Sequence, residues 1–135
     1  MVSNNEALAI LDKLNILFNT PSPGLVLDCV EIENNRNVLA ALIIDEDIIC
    51  LRSNNVNPRL LAHEYGHYLY HYYYGKGKFD RNHSEGWAQF FEVMWNDNQF
   101  NFLCTECGST GPVMMLETGE LQCLKCDSVY GMSFR

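Results

Sequence analysis

Residues 63–67 read His-Glu-Tyr-Gly-His, and this pentapeptide decides how the rest of the chain is interpreted. Two histidines four residues apart on a helix lie on the same face, about 5–6 Å apart at their Cβ atoms. Both imidazoles then reach one Zn²⁺ at about 2.0–2.1 Å. Glu64 lies about 100° around the helix from His63, close enough to hold a water molecule without being a ligand. The pentapeptide predicts a metal site with a general base, although alone it also fits a helix with two incidental surface histidines.

A second stretch, residues 83–91, reads as the start of another helix. A catalytic zinc site needs a third protein ligand and an open fourth position. The 17 residues from 68 to 84 are enough to end one helix, turn, and begin a second helix packed antiparallel to it. His83 and Glu85 both lie at the start of this second helix, so either residue is a candidate for the third ligand.

The two stretches together resemble the gluzincins, whose third ligand is a glutamate on a second helix after a similar gap. More narrowly, they resemble the ImmA/IrrE family of small metallopeptidases, which carry H-E-x-G-H, apolar residues, a histidine, and then E-x-x-A-x-x-F. This chain has HEYGHYLYH at residues 63–71 and EGWAQFF at residues 85–91. The resemblance covers roughly residues 38–95. It implies a zinc metallopeptidase with Glu85 as the third ligand and Glu64 as the general base.

His83 remains the competing third ligand. Together with Trp87 it forms H-x-x-x-W, which resembles SprT-type proteases, in which a third histidine binds zinc and a zinc ribbon follows. Glu85 is favoured because E-x-x-A-x-x-F matches at three positions and because the small Ala88 one turn later leaves room for the metal helix. In that case His83 would stabilise the oxyanion formed during hydrolysis or contact one of the metal ligands. If Asn82 caps the helix, Glu85 instead falls at the third helical position and closes a capping box.

Two further residues of the metal helix carry predictions. His71 shares a face with His63, but eight residues place it about 12 Å further along the axis, too far to bind the same ion. We therefore expect His71 to have a structural or supporting role. Gly66 costs about 1 kcal/mol against alanine inside a helix. Its presence suggests that another backbone approaches closely at this point.

The residues before the motif predict a helix. Ser3 and Glu6 form a capping box, and Pro21 and Pro23 stop the helix that follows. Apolar residues recur at helical spacing and predict the buried face: Ala7, Leu8, Leu11, Leu14, Leu17 and Phe18.

The next segment predicts a small antiparallel sheet. Residues 25–32 are rich in branched apolar side chains and read as a strand. Residues 38–44 and 48–51 read as two strands of a tight hairpin. Cys29 and Cys50 fall in these strands, where buried free cysteines are common. The sequence does not indicate which strand lies at the edge of the sheet.

Composition changes after residue 100. Two C-x-x-C pairs, Cys104 with Cys107 and Cys123 with Cys126, are separated by the 15 residues from 108 to 122. This spacing is typical of a tetrahedral Cys₄ zinc site, and the module resembles a zinc ribbon with a hairpin between its two knuckles. Because four thiolates fill the coordination sphere, this second zinc is predicted to be structural.

Composition limits the class of protein. The 135 residues carry a formal net charge of −8, which argues against broad affinity for nucleic acid or anionic membranes. No apolar run reaches the roughly 18 residues of a membrane span, and the first residues lack a secretory signal pattern. An intracellular, cytoplasmic protein is therefore expected, with its cysteines binding metal.

The prediction as a whole is an α+β protein with two zinc ions. Residues 1–100 form a metallopeptidase domain whose helices, one carrying H-E-x-x-H, pack on a small antiparallel sheet, and residues 101–135 form a β zinc ribbon. We expect hydrolysis of peptide bonds in an intracellular protein partner, with metal-activated water as the nucleophile. The alternatives are the SprT-like protease and a non-catalytic, zinc-stabilised module for protein interaction. Substrate identity and oligomeric state are not encoded in any recognisable pattern.

Overall fold

The described residues of the computed structural model are 3–75, 81–96, 104, 106–109, 112–116 and 120–130. Within these ranges the chain forms four helices and two three-stranded sheets, which confirms the predicted α+β class. None of the described helices is both long and apolar enough to cross a lipid bilayer.

Helix α1, Asn4–Phe18, begins at the predicted capping box. The Ser3 hydroxyl accepts a hydrogen bond from the Glu6 amide at 3.1 Å, and the Glu6 carboxylate approaches Ser3 in return. Its predicted apolar face is buried except at Leu8, whose exposed fraction is 42%. The helix ends at Asn19, which adopts a left-handed conformation with φ of 52°.

The first sheet is mixed, so the prediction of a purely antiparallel sheet was wrong. It contains β1 (Gly24–Leu27), β2 (Ala40–Ile43) and β3 (Ile48–Leu51) in the order β1-β3-β2. The predicted hairpin is present, because β2 and β3 pair antiparallel. β1 instead pairs parallel with β3 on the opposite side. Both β1 and β2 are therefore edge strands.

The strand predicted for residues 25–32 ends early, at Leu27. Asp28 has a positive φ of 54°, and its carboxylate accepts a hydrogen bond from the Ser53 amide at 3.0 Å. This turn diverts the chain into the short helix α2, Val30–Glu33. Ile32, which contributed to the strand pattern, is fully buried from this helix instead.

Cys29 and Cys50 form a disulfide, so the interpretation of both as free thiols was wrong. The topology brings them together. Cys50 in β3 pairs in register with Val26 of β1, and Cys29 lies two residues after the end of β1, as the N-cap of α2. The Cα atoms of the two cysteines are 6.2 Å apart.

Helix α3, Pro58–Tyr74, carries the H-E-x-x-H motif, and helix α4, Arg81–Asn96, packs antiparallel against it. Asn57 followed by Pro58 predicts a helix start, and Asn57 is the N-cap of α3. The helix ends at Gly75, the glycine that predicts its end in the sequence. A Cβ atom on Gly66 would lie 2.7 Å from both the Ala88 Cα atom and the Trp87 carbonyl oxygen. The predicted close approach of another backbone at Gly66 is therefore confirmed.

Tyrosine hydroxyls fix α3 to the end of α1 and to the loop that follows. The buried Tyr65 hydroxyl donates to the Asn15 side chain at 3.0 Å and lies 2.7 Å from the Thr20 hydroxyl. The Tyr68 hydroxyl donates to the Pro21 carbonyl at 2.6 Å. These hydroxyl contacts orient the helix that bears the site.

The second sheet follows the helices and is antiparallel. It contains β4 (Val113–Met115), β5 (Leu121–Cys123) and β6 (Val129–Tyr130) in that order. β4 and β5 are the two arms of the predicted hairpin, whose tip at residues 117–119 lies outside the described residues. Val113, Met115 and Leu121 are buried in the same apolar cluster as the inner face of α1. The predicted boundary near residue 100 also lies outside the described residues.

Candidate metal centres

The first candidate metal centre lies between α3 and α4. The Nε2 atoms of His63 and His67 are 3.4 Å from Oε1 and Oε2 of Glu85, respectively. Two ligands about 2.0–2.2 Å from zinc, separated by the tetrahedral angle, would lie about 3.3–3.6 Å apart. The observed separations fit this range, so the three residues form a group compatible with zinc.

The close contact between the helices explains how Glu85 reaches the histidines. Gly66 lies between the two histidines on α3 and meets Ala88 on α4, one turn after Glu85. A larger residue at either contact position would push α4 outward. The carboxylate of Glu85 would then move away from the imidazoles.

His83 is not part of this group of side chains. It is exposed in the first turn of α4, whereas the ligand atoms of His63, His67 and Glu85 all lie within 4.8 Å of one another. The capping-box interpretation of Glu85 was wrong. α4 begins at Arg81, so Asn82 lies inside the helix and Glu85 falls in its second turn.

Burial governs the electrostatics around the motif. It raises the pKa of Glu64, whose exposed fraction is 7%, to about 7, and the negative charge of Glu85 adds to this shift. Burial also lowers the pKa of His67 to about 4, with a further contribution from His63. His67 is therefore neutral at neutral pH, which is the form that binds a metal.

Each histidine has a polar group behind its ring. Nδ1 of His67 lies 2.6 Å from the hydroxyl of the fully buried Ser84. Nδ1 of His63 lies 3.2 Å from Oε1 of Glu92, whose Oε2 is 3.2 Å from the Arg59 guanidinium. Neither Ser84 nor Glu92 was predicted from the sequence to belong to the site. The spacing in the sequence could have indicated Glu92, because it lies seven residues, or two helical turns, after Glu85 and therefore on the same face of the helix.

A cavity of about 210 Å³ adjoins the motif on the side of the edge strand β2. It is lined by Ala41, Leu42, Ile44, Glu64, His67 and His71. His71 is 4% exposed and lies against the Tyr70 ring, and it is not one of the three residues of the candidate metal centre. The cavity therefore connects the Glu64 carboxylate with an edge of the sheet.

The second candidate metal centre is formed by the four cysteines of the ribbon. Sγ of Cys104 is 3.5 Å from Sγ of Cys126, and Sγ of Cys107 is 3.6 Å from Sγ of Cys123. Tetrahedral zinc with bonds of about 2.3 Å would separate two sulfur atoms by about 3.8 Å. The four sulfurs are therefore close to the arrangement that a closed zinc site requires.

The two C-x-x-C turns have matching backbones. The Gly108 amide donates to the Cys104 carbonyl, and the Asp127 amide donates to the Cys123 carbonyl, both at 2.8 Å. Gly108 and Asp127 both have positive φ, 75° and 64°. Glycine adopts this conformation without strain at Gly108, whereas Asp127 adopts it with a side chain, so no glycine marks the second turn in the sequence.

Ser128 acts on one of the cysteine ligands. Its hydroxyl lies 3.1 Å from the Cys126 sulfur. The side chain and backbone of Ser128 together lower the pKa of the Cys126 thiol to about 6. A thiolate is the form of cysteine that binds zinc.

Comparison of this chain with protein-family models, with curated proteins and with solved structures found no match. The resemblance to the ImmA/IrrE peptidases therefore rests on the motif residues quoted above. The candidate function has to be argued from the geometry of the two centres.

Proposed function

We propose that this chain is a zinc-dependent endopeptidase that hydrolyses extended segments of a protein partner. The observation that carries this proposal is the position of Glu64. Its carboxylate is buried beside His63, His67 and Glu85, in the cavity that leads to the edge strand β2. Burying a carboxylate is costly, and a purely structural zinc site has no use for one that is not a ligand.

The residues divide the chemistry between them. His63, His67 and Glu85 would hold the metal. Zinc bound there would act as a Lewis acid and lower the pKa of water toward 7. Glu64 takes the proton of the attacking water and passes it to the amine nitrogen that leaves when the peptide bond breaks.

The substrate class follows from the surroundings of the cavity. Among the described residues β2 is an edge strand, so one side of its backbone would accept main-chain hydrogen bonds from an extended peptide. Ala41, Leu42 and Ile44 give the cavity an apolar lining that suits an apolar side chain next to the scissile bond. Such a groove would discriminate little between peptide side chains. Selectivity for one protein partner would therefore come from a second contact with that partner, and the ribbon is the candidate surface for it.

A second candidate function is a non-catalytic, zinc-stabilised interaction module. The observation that favours it is the closed group of four cysteines, which leaves no ligand position open for chemistry. This function accounts for the ribbon but assigns no role to Glu64.

Glu64→Gln separates the two functions. In the zinc-loaded full chain, kcat/KM on a mixture of unstructured peptides should fall by about 10²–10⁴-fold, the usual contribution of a general base. Zinc content should stay unchanged, because Glu64 is not a ligand, and the melting temperature should not fall, because the substitution removes a buried charge. Glu33→Gln, at an exposed position in α2, is the matched control for the loss of charge. Full activity of Glu64→Gln, or no hydrolysis of any peptide by zinc-loaded wild-type protein, would exclude the peptidase.

A further inference from the structure

The contacts behind the two histidines differ in chemical character. The ring of His67 meets a neutral hydroxyl, that of Ser84, at 2.6 Å. The ring of His63 meets a carboxylate oxygen, Oε1 of Glu92, at 3.2 Å. In both rings the contact is made by Nδ1, while Nε2 faces Glu85. The two rings therefore present the same nitrogen to the candidate metal position.

The Nδ1 atom of His63 is buried and has no hydrogen-bond partner among the described residues, although Oε1 of Glu92 lies 3.2 Å away. The Glu92 carboxylate is the acidic group within reach of this atom. Because a carboxylate accepts a proton in a hydrogen bond, it favours the tautomer with hydrogen on Nδ1 and a free electron pair on Nε2.

We propose that Glu92 is a positioning residue for the metal, acting through His63, and that Arg59 holds Glu92 in place. This inference rests on the proposed metal-binding role of His63. Glu92 fixes the orientation and tautomer of the His63 ring and increases the basicity of its Nε2. Carboxylates behind metal-binding histidines typically change metal affinity by about 10–100-fold.

The spacing along the two helices supports this assignment. Glu85 and Glu92 are two turns apart on α4, and Arg59 and His63 are one turn apart on α3. Because the helices are antiparallel, Glu92 lies between His63 and Arg59. α4 then supplies both the third ligand and the group that orients the first one.

An ordinary surface ion pair does not account for the same contacts. The Arg59 side chain is 55% exposed, and an exposed pair of this kind contributes little to stability. The Glu92 side chain is only 29% exposed, and its second oxygen faces a buried imidazole nitrogen. The contact between Oε1 of Glu92 and the His63 ring would orient that ring, whereas the salt bridge with Arg59 uses only the other carboxylate oxygen.

Metal affinity of the full chain tests the proposal. Zinc is first bound to the four cysteines, and cobalt(II) is then titrated into the remaining site, with its visible absorption recorded and its Kd measured against a chelator. Glu92→Ala should weaken cobalt binding by about 10–100-fold and change the absorption spectrum. Glu92→Gln, which keeps an oxygen acceptor, should restore part of the affinity. Glu33→Gln, which removes a charge from the exposed surface of α2, should bind like the wild type.

The same variants distinguish orientation of a ligand from a structural role. The metal-free Glu92→Ala protein should melt at the wild-type temperature. Wild-type cobalt affinity and a wild-type spectrum in Glu92→Ala would overturn the proposal. It would also be overturned if the metal-free Glu92→Ala protein were destabilised enough for partial unfolding to explain the whole loss of cobalt affinity. Weaker cobalt binding by Glu92→Ala in a protein that cleaves no peptide would support Glu92 as a positioning residue and exclude the peptidase.

Discussion

Gly66 in α3 faces the backbone of Ala88 in α4 so closely that a methyl group on Gly66 would come within 2.7 Å of the Ala88 Cα atom. This contact sets the separation of the two helices beside the candidate metal centre. The distance between Glu85 and the two histidines therefore depends on a residue that binds nothing itself.

Gly66→Ala should lower the free energy of unfolding by up to about 2 kcal/mol, since overpacking costs about 1–3 kcal/mol and the gain in helix propensity offsets about 1 kcal/mol of it. It should also weaken metal binding at the histidines. Chemical denaturation and cobalt titration measure the two effects. Gly86→Ala is the matched control, because a Cβ on Gly86, inside α4, meets no atom within 4 Å. Equal stability of the two variants would contradict the packing argument.

The sequence predicted those features that local chemistry determines. The capping box at Ser3, the cap at Asn57 and the stop at Gly75 depend on short-range backbone geometry, and all three are present. The close approach at Gly66 was also predictable, because glycine destabilises the interior of a helix and its presence there indicates tight packing. Features that depend on tertiary structure were missed. The parallel pairing of β1 and the disulfide of Cys29 join segments that no local pattern connects. The spacing of Glu92 from Glu85 places both on one face of α4, but it does not by itself indicate a contact with His63.

Metal analysis should find two zinc ions per chain. Mutation of both His63 and His67 to alanine should leave one, because the four cysteines form a separate group. A mild chelator should remove the histidine-bound metal first, since a closed site of four thiolates releases zinc reluctantly. Atomic absorption of the dialysed protein gives the count. A single bound ion in the zinc-loaded wild-type protein would be incompatible with two centres.

The disulfide should stabilise the sheet. Cys29 and Cys50 close a loop with a sequence separation of 21, and a loop of this length typically gives about 3 kcal/mol. Cys29→Ser should lose stability by about that amount in denaturant titrations. Cys29 is chosen because Cys50 is fully buried, and its replacement would add a packing loss. A peptide map of the native protein in which both cysteines react with alkylating reagent would show that the bond is absent.

The ribbon should unfold together with the helices, since its inner face is buried in the same apolar cluster as α1. Leu121→Ala should lower the free energy of unfolding by about 2–5 kcal/mol, because the side chain is fully buried. Leu124→Ala is the matched control, with a side chain that is 38% exposed, and should cost far less. Cys107→Ser should likewise destabilise the whole chain by loosening the zinc site. Circular dichroism of the helices and loss of ribbon zinc should then follow one transition. Helices that melt at the wild-type temperature in Leu121→Ala would show that the ribbon is an independent unit.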